Sequence, residues 1–192
     1  MKVGLADDHE WMGGASMAQN GVICNPNIPS EEVFTTPHAL RVEGYVSSTK
    51  PLSHQGTLID NIRVVFEKGS ITDAKASKGE TVLKKVLESD EGARRLGEVA
   101  LVPNSSPISN SGLLFYNTLF DENAACHIAL GQCYSKCFKG ETNLSLSEIR
   151  ERGGNSSMIH IDWMIGSGEI DIDGFGKNGE IVPIFRKGEW VD

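Results

Sequence analysis

Apolar residues in this chain fall mostly into alternating runs, with one clear helical stripe. Residues 40–48 alternate apolar and polar side chains, the pattern of a strand with one wet face. Residues 57–66 read as a second strand region split by Asp60-Asn61. Lys68-Gly69-Ser70 then turns the chain into a short strand at 71–74, predicting a hairpin. At Thr81 the period changes. Val82, Leu83, Val86 and Leu87 form an apolar stripe while Lys84, Lys85, Glu88 and Asp90 face water, so a helix is expected that pauses at Ser89-Asp90 and restarts over 91–96. Residues 98–102 are strand-like and stopped by Pro103. A loop is expected at 104–112, an aromatic patch at 113–120, and a helix from Glu122 to about Gln132 with Asp121 as its N-cap. After a loop at 140–143, residues 145–152 predict a short helix, and strands are expected around His160, at 170–172 and at 180–185.

Residues 1–30 are crowded with Gly, Asn and Pro and read as successive turns, a loop-rich lead-in to a domain over 31–192. Mixed strands with a few flanking helices make the expected class α+β, with a mixed, barrel-like sheet. A length of 192 residues suits one domain, or one with a small appendage. The net charge of −8, with dispersed basic residues, argues against a nucleic-acid or anionic-membrane surface. No apolar run approaches the ~20 residues that span a bilayer. The first residues lack the apolar core of a signal peptide, so a cytoplasmic protein is expected. Cys24, Cys126, Cys133 and Cys137 lack paired C-x-x-C spacing and are expected as reduced, partly buried thiols.

The run Ser157–Gly166 carries the most specific chemistry. In a strand, His160 and Asp162 project to one face while Ile159, Ile161 and Trp163 bury the other. An imidazole and a carboxylate on an apolar strand need a partner, either each other or a divalent metal. Other candidates are less specific in isolation. His127 and Tyr134, seven apart, would share a helical face over two turns. Glu98 interrupts an apolar segment and would ordinarily be an edge-strand carboxylate, and Glu31-Glu32 a solvated acidic pair.

Asn27-Ile28-Pro29-Ser30-Glu31-Glu32-Val33-Phe34-Thr35-Thr36-Pro37 resembles a signature of the M29 metallo-aminopeptidases. Residues 92–100, 114–127 and 160–166 are similar to further blocks of that family, and 185–190 also fit. The resemblance implies metal ligands at Glu32 (or Glu31), Glu98, His127, Tyr134, His160 and Asp162. It also implies two divalent ions (zinc or cobalt, with manganese possible on ligand chemistry), removal of N-terminal residues from peptides, and a homodimer. Hard and borderline O and N donors of this kind suit Zn²⁺, Co²⁺ or Mn²⁺. Such ions lower the pKa of a shared water toward ~7 and polarise a scissile carbonyl. Glu31 is the candidate general base; His38 and Arg41 are candidates for holding substrate. Family members are longer and begin with a separate α/β domain that is expected to be absent here, which leaves open a non-catalytic metal-binding remnant. Another metallohydrolase on the same ligands is the remaining alternative, disfavoured for phosphate substrates by the scarcity of Lys and Arg near the motifs.

Overall fold

The computed structural model of the chain describes residues 1–140 and 144–192, so the loop expected at 140–143 lies outside the described residues apart from Gly140. The turn-rich start supplies β1 (Lys2–Leu5), β2 (Met12–Gly13) and a small hairpin of β3 (Ser16–Met17) and β4 (Ile23–Cys24). β5 (Val33–Thr35) and the long β6 (Pro37–Ser47) follow. Next come β7 (Leu52–His54), β8 (Thr57–Ile59), β9 (Arg63–Glu67) and β10 (Ser70–Lys75). Helix α1 (Glu80–Leu87) and a 3₁₀ turn over Glu91–Arg94 lead into β11 (Leu96–Leu101). α2 (Pro107–Ser111) and α3 (Thr118–Asp121) precede β12 (His127–Gly131), and α4 (Leu146–Glu151) precedes β13 (His160–Met164). β14 (Ile172–Phe175), β15 (Ile181–Arg186) and β16 (Glu189–Trp190) form a small terminal sheet.

Two larger sheets carry the molecule, in the orders β1-β6-β9-β10 and β13-β12-β11-β5-β2. Helices with antiparallel sheets fit the α+β class. The pairings among the described strands are all antiparallel, so the expected mixed sheet is not found. Nor do the described strands close into a barrel. The second sheet ends on β2, only two residues long, which gives too little ladder to continue the curl. No helix among the described residues is long and apolar enough to cross a membrane.

The main core lies between the two sheets. Val42, Val64, Phe66 and Ile71 from one meet Leu96, Ile128, Leu130, Ile161 and Trp163 from the other, and α1 adds Leu83 and Leu87 from its apolar stripe. Full burial of each such side chain contributes roughly 1.5–3 kcal/mol. β11, β12 and β13 therefore have one face fixed against this core, and their opposite faces stand together.

The helix expected from Glu122 to Gln132 is absent. After a 3₁₀ turn at Glu122–Ala124 the chain becomes β12, paired on both sides by β11 and β13. The apolar run His127-Ile128-Ala129-Leu130 suits a fully buried central strand, and two ladders outweigh its weak helical preference. Asp121 does not cap a following helix. Its carboxylate accepts from the backbone N–H groups of Phe115 (2.6 Å) and Asn117 (3.0 Å).

Candidate metal centre

The alternation read in the sequence holds in β13. Ile161 and Trp163 enter the core, and His160 and Asp162 share the other face, with Nε2 of His160 3.4 Å from Oδ2 of Asp162. β12 lies beside them in strict register, pairing Ala129 with Asp162 and Gly131 with His160. His127 reaches the same face because it is two residues from Ala129, not because it shares a helix with Tyr134. Ala129 and Gly131 put no bulky side chain between the strands on this face, which leaves room above them for polar ends to converge.

Glu98 arrives by a bulge. On β11, Leu96 pairs with Leu130 and Glu98 pairs with Ala129, so two steps on one strand oppose a single step on the other. Without the extra residue, Leu96 and Glu98 would point the same way, into the core. The bulge at Gly97 turns Glu98 over to the side of Ala129 and Asp162. Gly97 is required there, since a Cβ would stand 2.2 Å from the carbonyl oxygen of Gln132. Glu98 is thus no edge carboxylate. It sits on a central strand between β5 and β12 and is 4% exposed. Glu32 enters from the lead to β5, also buried, with Oε1 3.0 Å from Nε2 of His127.

These side chains form two donor groups sharing one carboxylate: Glu32, Glu98 and His127, and Glu98, His160 and Asp162. Within each group the ligand atoms lie within 4.8 Å of one another. Tyr134 lies beyond the end of β12, its ring 4.7 Å from that of His160 and edge-on to Phe34. Glu31 is exposed and belongs to neither group. Arg41 makes an exposed ion pair with Asp7, and Nδ1 of His38 accepts from the N–H of Leu40. Cys126, Cys133 and Cys137 are buried free thiols and Cys24 is exposed; burial pushes the thiols of Cys133 and Cys137 up to about 11 and about 12.

The sequence reading missed Glu122. It is buried, its Oε1 accepts from Nδ2 of Asn27 at 2.8 Å, and its carboxyl contacts that of Asp162. The sequence carried little signal for it: Glu122 stands between Asp121 and Asn123 at the start of the expected helix, where an acidic residue is ordinary.

Both imidazoles have their tautomer set from behind. Nδ1–H of His127 donates to the carbonyl of Ala125 at 3.0 Å, and Nδ1–H of His160 to that of Gln132 at 2.7 Å. Each Nε2 is left facing carboxylate oxygens. The 3.0 Å separation of His127 Nε2 and Glu32 Oε1 is that of a charge contact. Nε2 of His127, Nε2 of His160 and Oδ1 of Asp162 are buried without a hydrogen-bond partner. Acceptors facing acceptors in a buried site require either protons or a cation between them.

Without a cation, protons accumulate. Burial opposes charge on His127, but Glu32, Asp162 and Glu98 outweigh it and lift the imidazole to about 10. His160 rises to about 11 on the same balance, with Asp162 and Glu98 as its partners. Burial and then Asp162 push Glu122 up to about 9. Burial raises Glu98 as well, whereas for Asp162 contact with His160 overcomes burial and holds the carboxyl low. Burial, with the surrounding carboxylates, also keeps the Tyr134 phenol protonated. The donors are O and N atoms from carboxylates and imidazoles, oriented by backbone carbonyls, and they fit divalent ions of borderline hardness.

Comparison with known proteins agrees with this chemistry. The sequence model of a family described as "Thermophilic metalloprotease (M29)" matches residues 1–190. Aminopeptidase T of Thermus aquaticus is 54% identical over 191 residues, covering 100% of this chain and 46% of that protein. Aminopeptidase 2 of Geobacillus stearothermophilus is 53% identical over 189 residues, 98% of this chain and 46% of its own length. The solved structure of wild-type AmpT from Thermus thermophilus superposes with a TM-score of 0.92 at 53% identity, covering 99% of this chain and 47% of that one. The chain spans about half the length of the curated relatives it matches.

Proposed function

The chain belongs to the thermophilic metalloprotease (M29) family, and from that premise we propose that it carries the metal centre of an aminopeptidase acting on peptides with a free amino terminus. One observation carries the proposal: two buried donor groups share Glu98, and within them Nε2 of His127, Nε2 of His160 and Oδ1 of Asp162 have no hydrogen-bond partner. Its relatives' names point to the same activity.

Glu32, Glu98 and His127 would hold one divalent ion, and Glu98, His160 and Asp162 a second. Glu122 supplies a further carboxylate. Four carboxylates then balance two dications, whereas a single ion would leave a buried excess of negative charge. Zinc, cobalt or manganese suits the donor set. Such ions supply Lewis acidity to a peptide carbonyl and to water when bound. The protein's own contribution is rigidity. Ala125 and Gln132 aim the imidazoles, Asn27 holds Glu122, and Tyr134 stands 41% exposed beside His160. There its phenol would serve as a further oxygen ligand, as the family resemblance implies, or as a donor to substrate. Glu31, exposed and outside both donor groups, would reach the site as a general base only through the solvent beside it.

The test pairs metal content with cleavage of two peptides that differ only in N-acetylation. The chain loaded with Zn²⁺ or Co²⁺ is expected to release the first residue of the free peptide and to leave the blocked one intact. EDTA and Glu98→Ala should each abolish release. Equal cleavage of both peptides would point to another hydrolase, and bound metal without cleavage to a non-catalytic centre.

A further inference from the structure

Two of the strands that carry donors, β11 and β13, each antiparallel to β12, begin at the same end of the sheet, and a single carboxylate ties their beginnings together. β11, with Glu98, starts just after the 3₁₀ turn Glu91–Arg94; β13, with His160 and Asp162, starts just after residues 155–159. The strands are not neighbours, because β12 lies between them. Their relative stagger is therefore set only through β12 and through whatever joins their ends.

Asp90 joins them. Its Oδ1 accepts from the backbone N–H of Ala93 at 2.9 Å, capping the turn before β11. The same carboxylate accepts from Oγ of Ser157 at 2.9 and 3.0 Å, and its Oδ2 accepts from the N–H of Met158 at 2.7 Å. These bonds, the Met158 N–H foremost, hold the carboxyl below its usual range, as an ionised acceptor requires. From Ser157 the connection reaches the metal-facing histidine in few steps. The N–H of Ser157 donates to Oε1 of Gln132 at 3.0 Å, and the N–H of Gln132 donates to the carbonyl of Ile159 at 2.7 Å. The carbonyl of Gln132 receives Nδ1–H of His160.

The packing here leaves little freedom. Nδ2 of Asn155, buried, bridges the carbonyls of Gly92 (2.8 Å) and Gly131 (2.7 Å). A Cβ on Gly92 would stand 2.0 Å from the carbonyl oxygen of Ser156, and one on Gly131 2.1 Å from that of Ile159. Backbones this close transmit a displacement instead of absorbing it.

Resting on the metal-centre reading above, we infer that Asp90 is a positioning residue for His160: it fixes the stagger of β13 against β11, and so the approach of His160 Nε2 to Glu98 Oε2, which are 3.3 Å apart. Asp90 touches no donor atom; it acts through Ser157, Met158 and Gln132.

The test is Asp90→Asn, which is isosteric but presents N–H groups to an N–H donor. Co²⁺ titration, followed by the visible absorption of the bound ion, separates the two binding steps, and His160→Ala marks the step that depends on His160. D90N is expected to weaken that step about 10–100-fold, the usual effect of removing an orienting partner, and to leave the other step within a few-fold. Ile71→Val, a core change on β10 far from the donors, should lower Tm and move neither step. If D90N does not fold, Ser157→Ala tests the same connection, with a smaller loss confined to the same step. Unchanged binding in D90N, or equal weakening of both steps, overturns the inference. A wild-type chain that takes up no Co²⁺ overturns the metal-centre reading and this inference with it.

Discussion

Gly97 and Gln132 approach so closely that a Cβ on the first would lie 2.2 Å from the carbonyl oxygen of the second, the oxygen that orients His160. The same glycine is the extra residue that turns Glu98 out of the core. Gly97→Ala therefore strikes two donors at once, and its backbone neighbours have no cheap way to move. The expected cost is above about 2 kcal/mol, in the range of severe single substitutions. Metal uptake should fall more steeply than stability. Denaturant unfolding with and without Zn²⁺ checks both, and an unaffected Zn²⁺ response would show that the bulge does not aim Glu98.

How much of this was legible in the sequence follows from where the chemistry lies. His160 and Asp162 were readable because a strand's period of two is a local property, and the flanking Ile161 and Trp163 declared the buried face. The α1 stripe and the hairpin of β9 and β10 were readable for the same reason. β12 was not. Asp121 looked like a cap and His127–Gln132 had no strong alternation, since a strand buried on both faces does not alternate. What makes it a strand is the presence of β11 and β13, which lie distant in sequence. Read in isolation, Glu98 looked like an edge carboxylate, because a bulge reverses the face count and leaves only a glycine as its trace; only the family resemblance placed it among the ligands. Glu122 was lost with the helix that was supposed to expose it.

Metal addition should stabilise the folded chain alone, because the donors come from five separated segments and disperse on unfolding. Zn²⁺ at about one hundred times its Kd would add roughly 2.7 kcal/mol per ion. A rise in Tm on loading, reversed by EDTA, is expected in the wild-type chain. Glu98→Ala, which removes the carboxylate common to both groups, should remove most of the rise. If that variant keeps the full response, Glu98 is not shared.

Metal binding should also release protons. In the metal-free state Glu122, His127 and His160 hold protons up to about pH 9, 10 and 11 respectively. All three sites must give them up to act as donors, so two ions binding at pH 7 should displace about three protons, and affinity should rise with pH. Titration calorimetry in buffers of different ionisation enthalpy measures the number. A value near zero would mean that the ions bind elsewhere.

In the metal-free chain, comparing the wild type with a Glu122 variant isolates one titration, because Glu98, also raised by burial, is common to both. The folded pKa of Glu122, about 9, lies above the ordinary carboxylate value of 4.5. Between those limits the folded state keeps a proton that the unfolded state has lost. Stability from this group is therefore complete below about pH 4.5 and declines as pH rises toward 9, with a slope of at most about 1.4 kcal/mol per pH unit. The imidazoles contribute in the same direction only above their unfolded value of 6.5. The window from pH 5 to 6.5 therefore excludes them. Glu122→Gln keeps a group able to hydrogen-bond with Asn27 and removes the titration. Urea unfolding in the presence of EDTA should show the wild-type chain losing stability across that window and the variant following a shallower course, by about one proton's worth of slope. Parallel curves would place the Glu122 carboxyl in contact with water and outside the buried cluster.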